Sequence, residues 1–571
     1  MSLTTSQRSR AQESRAAIEK LYIAMRHLFI RGTYKPLGIS GEAMINSLKT
    51  LNPEIYGSIN DPERIELDGL LYIFQRLPKG IEECRFIRMI SREGLQHSGL
   101  PCFVPSKRRR NAYRIDNKEM YIELTRGRSD IYDILTHLTF MYIEAEKIRQ
   151  NSQTHKGEKK REWEKLEDIV AREKSGEEFD KEVAFTYMTT LLGRTYSEVK
   201  SAYERFEEDE EVNSLFHITY WLGNLSFQEF HDKTDRDISF SPMLRERIGH
   251  HEYGERWATN IKKFLFENNL FDRPIHIISA NLHSVMNTIY GKAALGKKYN
   301  EEEVEFLARE ISQGKNNKLR KKIQTYALNN GMSVIDNTSG TNITVQIFDT
   351  AKINPDILPR EVIADKELIE SQKPILVVMD YAFGEQAYET MDELLKPYKL
   401  GEERYPINVE SISIMGKAGI LAGDKGDIMV PTAHIFEGTA DNYPFENDFC
   451  KEDFENHGLP VYEGPMITVL GTSLQNKDIL RYFFKSSWNS IGLEMEGAHY
   501  QKAIQAASKI RKVVNDKIVL RYAYYASDNP LITGGTLASG GLGVDGVKPT
   551  YLITTKILSR ILGGKKGNAK K

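Results

Sequence analysis

From Asp272 to the C-terminus, short apolar runs alternate with helical stretches, and this alternation narrows the possible folds more than any other feature of the chain. The apolar runs fall at residues 275–280, 343–348, 375–380, 411–415, 428–431, 466–470, 491–495 and 518–525. Helical patterns fill 302–328, 384–395, 496–510 and 550–561. Strand and helix in turn predict a three-layer α/β domain with a mainly parallel or mixed central sheet, because parallel neighbours need a crossover that a helix supplies. Ligands of such sheets sit beyond the carboxyl ends of the strands.

Ahead of Asp272 the texture differs. Residues 10–148 read mostly helical, with apolar residues at three- and four-residue spacing over 17–29 and 131–148. The polar stretch NSQTHKGEKKR at 151–161 predicts an exposed loop. A second helical block follows from Trp163 to Asn269. The expected organisation is a helical domain over 1–150, a second helical region over 151–271, and an α/β domain over 272–571. A chain of 571 residues is too long for one ordinary core, in keeping with two or three domains.

Composition excludes more than it selects. A net charge of -2 gives no support for nucleic-acid binding. No apolar run is long enough to cross a bilayer, and the polar N-terminus lacks a secretory pattern. Cys84, Cys102 and Cys450 are odd in number and far apart, which argues for a reducing compartment and against a cysteine-rich zinc site. The expectation is a cytoplasmic protein with no metal and no organic cofactor.

Two segments carry chemistry. GLEMEGAHY at 492–500 sets Glu494 and Glu496 around Met495 where a strand passes into a helix, and YASDNPL at 525–531 sets Asp528 at the end of the next apolar strand. One carboxylate can hold two vicinal hydroxyls of a sugar. A second carboxyl with a raised pKa can protonate a leaving base. GKAG at 416–419 follows the run 411–415 and reads as a turn where backbone approaches a ligand, and GDKGDIMVP at 423–431 reads as a turn entering a strand. His250, His251 and Glu252 read as a solvated turn and the basic run KRRR at 107–110 as a solvated face. The glycine-rich run at 534–546 reads as a lid or a flexible connection.

The order DYAFGEQA, strand with GKAG, GD-strand, GTSLQ, EMEGA and SD resembles the nucleoside phosphorylase and nucleosidase superfamily over about residues 272–562. It is most similar to the AMP nucleosidase group, with 5′-methylthioadenosine/S-adenosylhomocysteine nucleosidases close behind. The resemblance implies roles by position. Glu496 would hold the ribose hydroxyls with Met495 packed under the sugar and Glu494 beside it. Asp528, oriented by Ser527, would protonate the purine N7. Leu474 and Gln475 would line the base pocket, while Gly416, Lys417, Ala418 and Gly419 would sit by the ribose and the nucleophile. The implied partner is a small purine nucleoside or nucleotide, joined by phosphate if the bond is cleaved by phosphorolysis, and the implied assembly is a homo-oligomer.

Two departures leave the nucleophile side open. Phosphorolytic members carry an arginine where this chain has Ile414, and members carry serine or threonine where it has Lys417. The loop after the first strand, ISANLHSVMN, offers Ser284, with Asn281 and His283 beside it, in place of the expected glutamate or arginine. His283 is the candidate for ordering or deprotonating water. Hydrolysis of an N-ribosyl bond, its phosphorolysis, and purine-nucleotide sensing without turnover all remain readings of the sequence.

Overall fold

In the computed structural model of the protein the described residues are 9–108, 110–296, 303–313, 316–532 and 542–563. The chain folds into two compact units, Met1–His250 with Gly471–Ile479, and His251–Leu470 with Leu480–Lys571.

The first unit is mostly helical. Arg10–Arg31 starts on a capping box in which the Ser9 side chain and Gln12 satisfy each other's backbone N–H groups. Gly127–Asn151 is buried along almost its whole length, so it forms the centre of the unit. The unit also holds a six-stranded sheet that the helical reading lacked. Its strands are two to five residues long, as in Phe86–Ile90 and Glu119–Glu123, too short to display a two-residue period against helical surroundings. Arg110 of the basic run is buried rather than solvated. It donates to Asp130 at 2.7 Å and to Asp133 at 2.6 Å, and Asp133 lies 3.4 Å from the buried His137.

Segment Gly471–Ile479 belongs to this unit. The Glu54 N–H donates to the Gln475 carbonyl at 3.0 Å, and the Asn476 amide donates to the Leu51 carbonyl at 2.8 Å. The hydroxyls of Tyr72 and Thr472 meet at 3.0 Å.

The second unit has three layers. Four neighbouring parallel strands, Ile375–Met379, Ile275–Ser279, Val409–Ile420 and Val519–Asp528, form the middle of its sheet. Alternate side chains feed two cores. Ile275, Ile277, Ile375 and Val377 pack with Trp257, Met391, Leu394 and Tyr500 on one face. Ile278, Leu376 and Val378 pack with Val285, Ile289, Ile557 and Leu558 on the other. Helix Glu252–Glu267 is part of this unit, and its Trp257 indole N–H donates to the Ile343 carbonyl at 3.1 Å. Beyond the parallel strands the pairing closes on itself. Val519–Asp528 pairs with Ile428–Phe436, which pairs with Val461–Thr468, then Gly492–Glu494, which returns to the end of Val409–Ile420.

Gly416, Lys417, Ala418 and Gly419 do not form the expected turn. The strand Val409–Ile420 continues through them, paired with Val519–Asp528 as far as Gly419 opposite Asp528, with a register shift between Ala418 and Gly419. The glycine serves the close antiparallel pairing of this strand's end with Gly492–Glu494. A Cβ on Gly419 would lie 2.8 Å from Leu493, and one on Gly492 would lie 2.7 Å from the Gly419 carbonyl oxygen and 2.4 Å from Met429 sulfur. Glycine inside a strand marks such an approach as readily as a turn.

Candidate functional site

The carboxyl ends of the four parallel strands deliver different chemistry to one edge of the sheet. Ile275–Ser279 leads to Asn281, which caps the helix Leu282–Leu295 by accepting the His283 N–H at 2.9 Å. His283 is exposed, whereas Ser284 is buried and bonded to the Asn281 carbonyl at 2.8 Å and to the Thr554 hydroxyl at 2.9 Å. Ile375–Met379 leads to Asp380, whose carboxyl is pushed up by burial, with the Tyr381 N–H and the nearby His283 working against the rise.

Asp528 closes the strand Val519–Asp528 and is 6% exposed. The Ser527 hydroxyl lies 2.6 Å from its Oδ1 and 3.1 Å from the Ala418 carbonyl, so its single proton is shared between two acceptors. Oδ2 is buried with no hydrogen-bond partner among the described residues. Burial raises the Asp528 pKa, while Ser527 and the charges of Lys417 and Lys425 pull it back without cancelling the rise. A carboxyl so placed keeps a proton at higher pH than a solvated aspartate and has one oxygen to offer a ligand.

The two glutamates of EMEGA are placed differently. Glu494 is buried, and its oxygens are all engaged within the protein. The Thr468 hydroxyl donates to Oε1, and the N–H groups of Glu496, at 2.5 Å, and Gly497 donate to Oε2. His434 Nδ1 stands 3.5 Å from Oε1. Burial alone would raise the Glu494 pKa, but His434, Thr468 and the backbone donors together hold it below the usual glutamate value. Glu494 therefore staples the strand Gly492–Glu494 to the helix Gly497–Gln505. Met495 is nearly buried. Glu496 sits at the helix N-cap, partly exposed, with Oε1 accepting the Gly384 N–H at 2.9 Å. Leu474 and Gln475, expected in the base pocket, lie buried in the segment that belongs to the N-terminal unit.

A cavity of about 340 Å³ opens in the second unit beside these strand ends. Asn281, His283, Ser284, Lys417 and Tyr525 form part of its wall. The sequence pattern gave no sign of Asn287, Arg320, Thr550 or Tyr551, which complete it from the helices. The glycine-rich run expected as a lid lies outside the described residues up to position 541. From there the turn Gly543–Gly546 leads into helix Val547–Leu562.

The sequence profile of DUF6909, described as a family of unknown function, matches residues 42–326 and 300–563. The chain belongs to this family. No curated protein matches it. Among solved structures, the DUF6909 chain is similar to a 5′-methylthioadenosine/S-adenosyl homocysteine nucleosidase from Campylobacter jejuni, at 10% identity over 50% of this chain and 97% of that one, with a TM-score of 0.30. It is also similar to an AMP nucleosidase from Bacteroides thetaiotaomicron, at 14% identity over 54% of this chain and 99% of that one, TM-score 0.28. A futalosine hydrolase mutant from Helicobacter pylori gives 10% identity over 50% and 98%, TM-score 0.30. At this level of likeness the functional reading of a DUF6909 chain rests on its own residues.

Proposed function

We propose that this protein cleaves the N-glycosidic bond of a purine nucleotide or nucleoside. The observation that carries the reading is Asp528, a buried strand-end carboxyl with a raised pKa and an oxygen that has no partner among the described residues. In this reading Asp528 protonates the leaving base, because a base departs more readily as a neutral group. Glu496 holds the ribose diol. Gly416, Ala418 and Gly419 present strand backbone beside the sugar. Glu494 supports Glu496 through its N–H, so its contribution is positioning. Met495 retains the sugar-packing role that the motif implies. His283, exposed and electrostatically coupled to Asp380, orders or deprotonates the water.

Phosphorolysis is the second reading, favoured by the cations Lys417 and Arg320 on the cavity wall. The resemblance also carries homo-oligomeric assembly, which light scattering of the full chain tests directly. For activity, AMP, adenosine, inosine, guanosine and methylthioadenosine are incubated with the protein, with and without phosphate, and free base is separated by chromatography. Base without added phosphate establishes hydrolysis, and base only with phosphate establishes phosphorolysis. Tight binding with no base from any substrate leaves a sensor and defeats the enzymatic reading.

A further inference from the structure

The acids at the carboxyl edge of the parallel strands divide by their engagements. Asp528 is the buried carboxyl beside Ser527. Glu494 spends its oxygens on Thr468 and on the backbone of the turn. Glu496 accepts the Gly384 N–H, and Glu385 opens the helix Gln386–Leu395 with its charge acting on His499. Asp380 follows the strand Ile375–Met379 and is partly exposed. Its Oδ1 accepts the Tyr381 N–H at 2.9 Å, and among the described residues it forms no ion pair.

Two ties hold the Asp380 loop beside the sugar-holding carboxylate. Gly384 of the same loop donates to Glu496 at 2.9 Å, and the Tyr381 ring lies 3.6 Å from where a Cβ on Gly416 would stand. On its other side the strand Ile375–Met379 runs parallel to Ile275–Ser279, with Met379 opposite Ser279. Asp380 therefore emerges next to the loop that carries His283. The titratable groups that face it are His283 from helix Leu282–Leu295, Tyr500 from helix Gly497–Gln505 and Tyr381 of its own loop. Asp380 and Asp528 close strands three spacings apart, about 14 Å between backbones. An acid and a base that act on one glycosidic bond need such room for a water between them.

We infer that Asp380 is the base of the hydrolysis, taking a proton from the water that attacks the anomeric carbon while His283 orients that water. The O–H bond breaks toward Asp380, and the water oxygen bonds to the anomeric carbon. The N-glycosidic bond breaks with its electron pair passing to the purine, which Asp528 protonates. Nucleoside and water give base and ribose, and each aspartate regains its starting form by exchanging one proton with solvent. Burial raises the Asp380 pKa against the pull of the Tyr381 N–H and His283. A carboxylate of higher pKa draws a proton more strongly while it stays ionised. The assignment rests on the N-glycosidic reading of this site.

Base release by Asp380→Asn, followed by chromatography without added phosphate, should fall by about 10² to 10⁴. Nucleoside affinity by isothermal titration should stay near that of wild type, which also shows the variant to be folded. His283→Ala should lose less. The wild-type kcat/KM should fall as pH falls through the Asp380 value, which lies above the aspartate value of about 3.9, and Asp380→Asn should lack this acid limb. A merely structural aspartate leaves the limb in place. Asp380→Ala gives a second variant, whose base release formate should restore. Hydrolysis unaffected in folded Asp380→Asn, an acid limb retained in it, or a greater loss in His283→Ala overturns the assignment alone. Base released only with phosphate also overturns it, and leaves N-glycosidic cleavage standing. No base from the wild-type chain on any substrate overturns both.

Discussion

Glu494 and Glu496 are two residues apart and have opposite fates. Glu494 spends both oxygens on Thr468 and on the backbone of the turn. An amide in its place would put an N–H group against an N–H group. Glu494→Gln should therefore cost about 2–4 kcal/mol of stability, read by urea unfolding. Its pKa is held below the glutamate value of about 4.3, so its stabilisation is complete above that pH and is lost as pH falls through the lower folded-state value. The acid limb of wild-type stability should flatten in the variant. Asp528 has the opposite sign. Its raised pKa favours the protonated form in the fold, so this contribution is present below the unfolded value and lost as pH rises through the folded one. Base release should decline over that same rise. Asp528→Asn should lower it by about 10² to 10⁴ while leaving nucleoside binding measurable. Both acids were legible in the sequence because motif and strand end coincide. That Glu494 caps the backbone of the turn was not, since nothing in EMEGA says which carboxylate meets those N–H groups.

At the scale of elements, the strand Val409–Ile420 shows why a turn was expected where none forms. GKAG has the composition of a turn, but its glycine makes room for the strand Gly492–Glu494 that pairs antiparallel with its end. Gly492→Ala would drive a Cβ to 2.7 Å from backbone and 2.4 Å from Met429 sulfur. It should cost about 1–3 kcal/mol in thermal or urea unfolding. Gly416→Ala, whose nearest neighbour stands at 3.6 Å, should change stability little in the same measurement. The alternation of strand and helix after Asp272 was legible because each core face takes alternate residues of strands such as Ile375–Met379. The short N-terminal strands were not, because their register is set by partners distant in sequence, as in Phe86 beside both Glu119 and Asp237. Arg320 was invisible for a related reason. Nothing in an ordinary helix marks which side chain reaches a cavity wall.

On the scale of the whole molecule, the N-terminal unit has its own buried charge network. Arg110 serves Asp130 and Asp133 at once, and Asp133 adjoins His137. Arg110→Met would leave buried Asp130 to Arg126 at 3.3 Å and Asp133 to Arg108 at 3.5 Å, and should cost about 2–4 kcal/mol, measured by urea unfolding followed by tryptophan fluorescence. Net charge and the basic run alone pointed to a solvated face, because composition does not record where a cation finds its partners.

The N-terminal unit is also discontinuous. Residues 471–479 leave the second unit after Leu470 and return to it at Leu480, after hydrogen bonding to Leu51, Glu54 and Tyr72. The polypeptide therefore passes from one unit to the other three times. Neither unit can be gained, lost or exchanged by a single breakpoint in the coding sequence, because any one cut leaves a piece of the first unit with the second. The family profile accordingly runs across both.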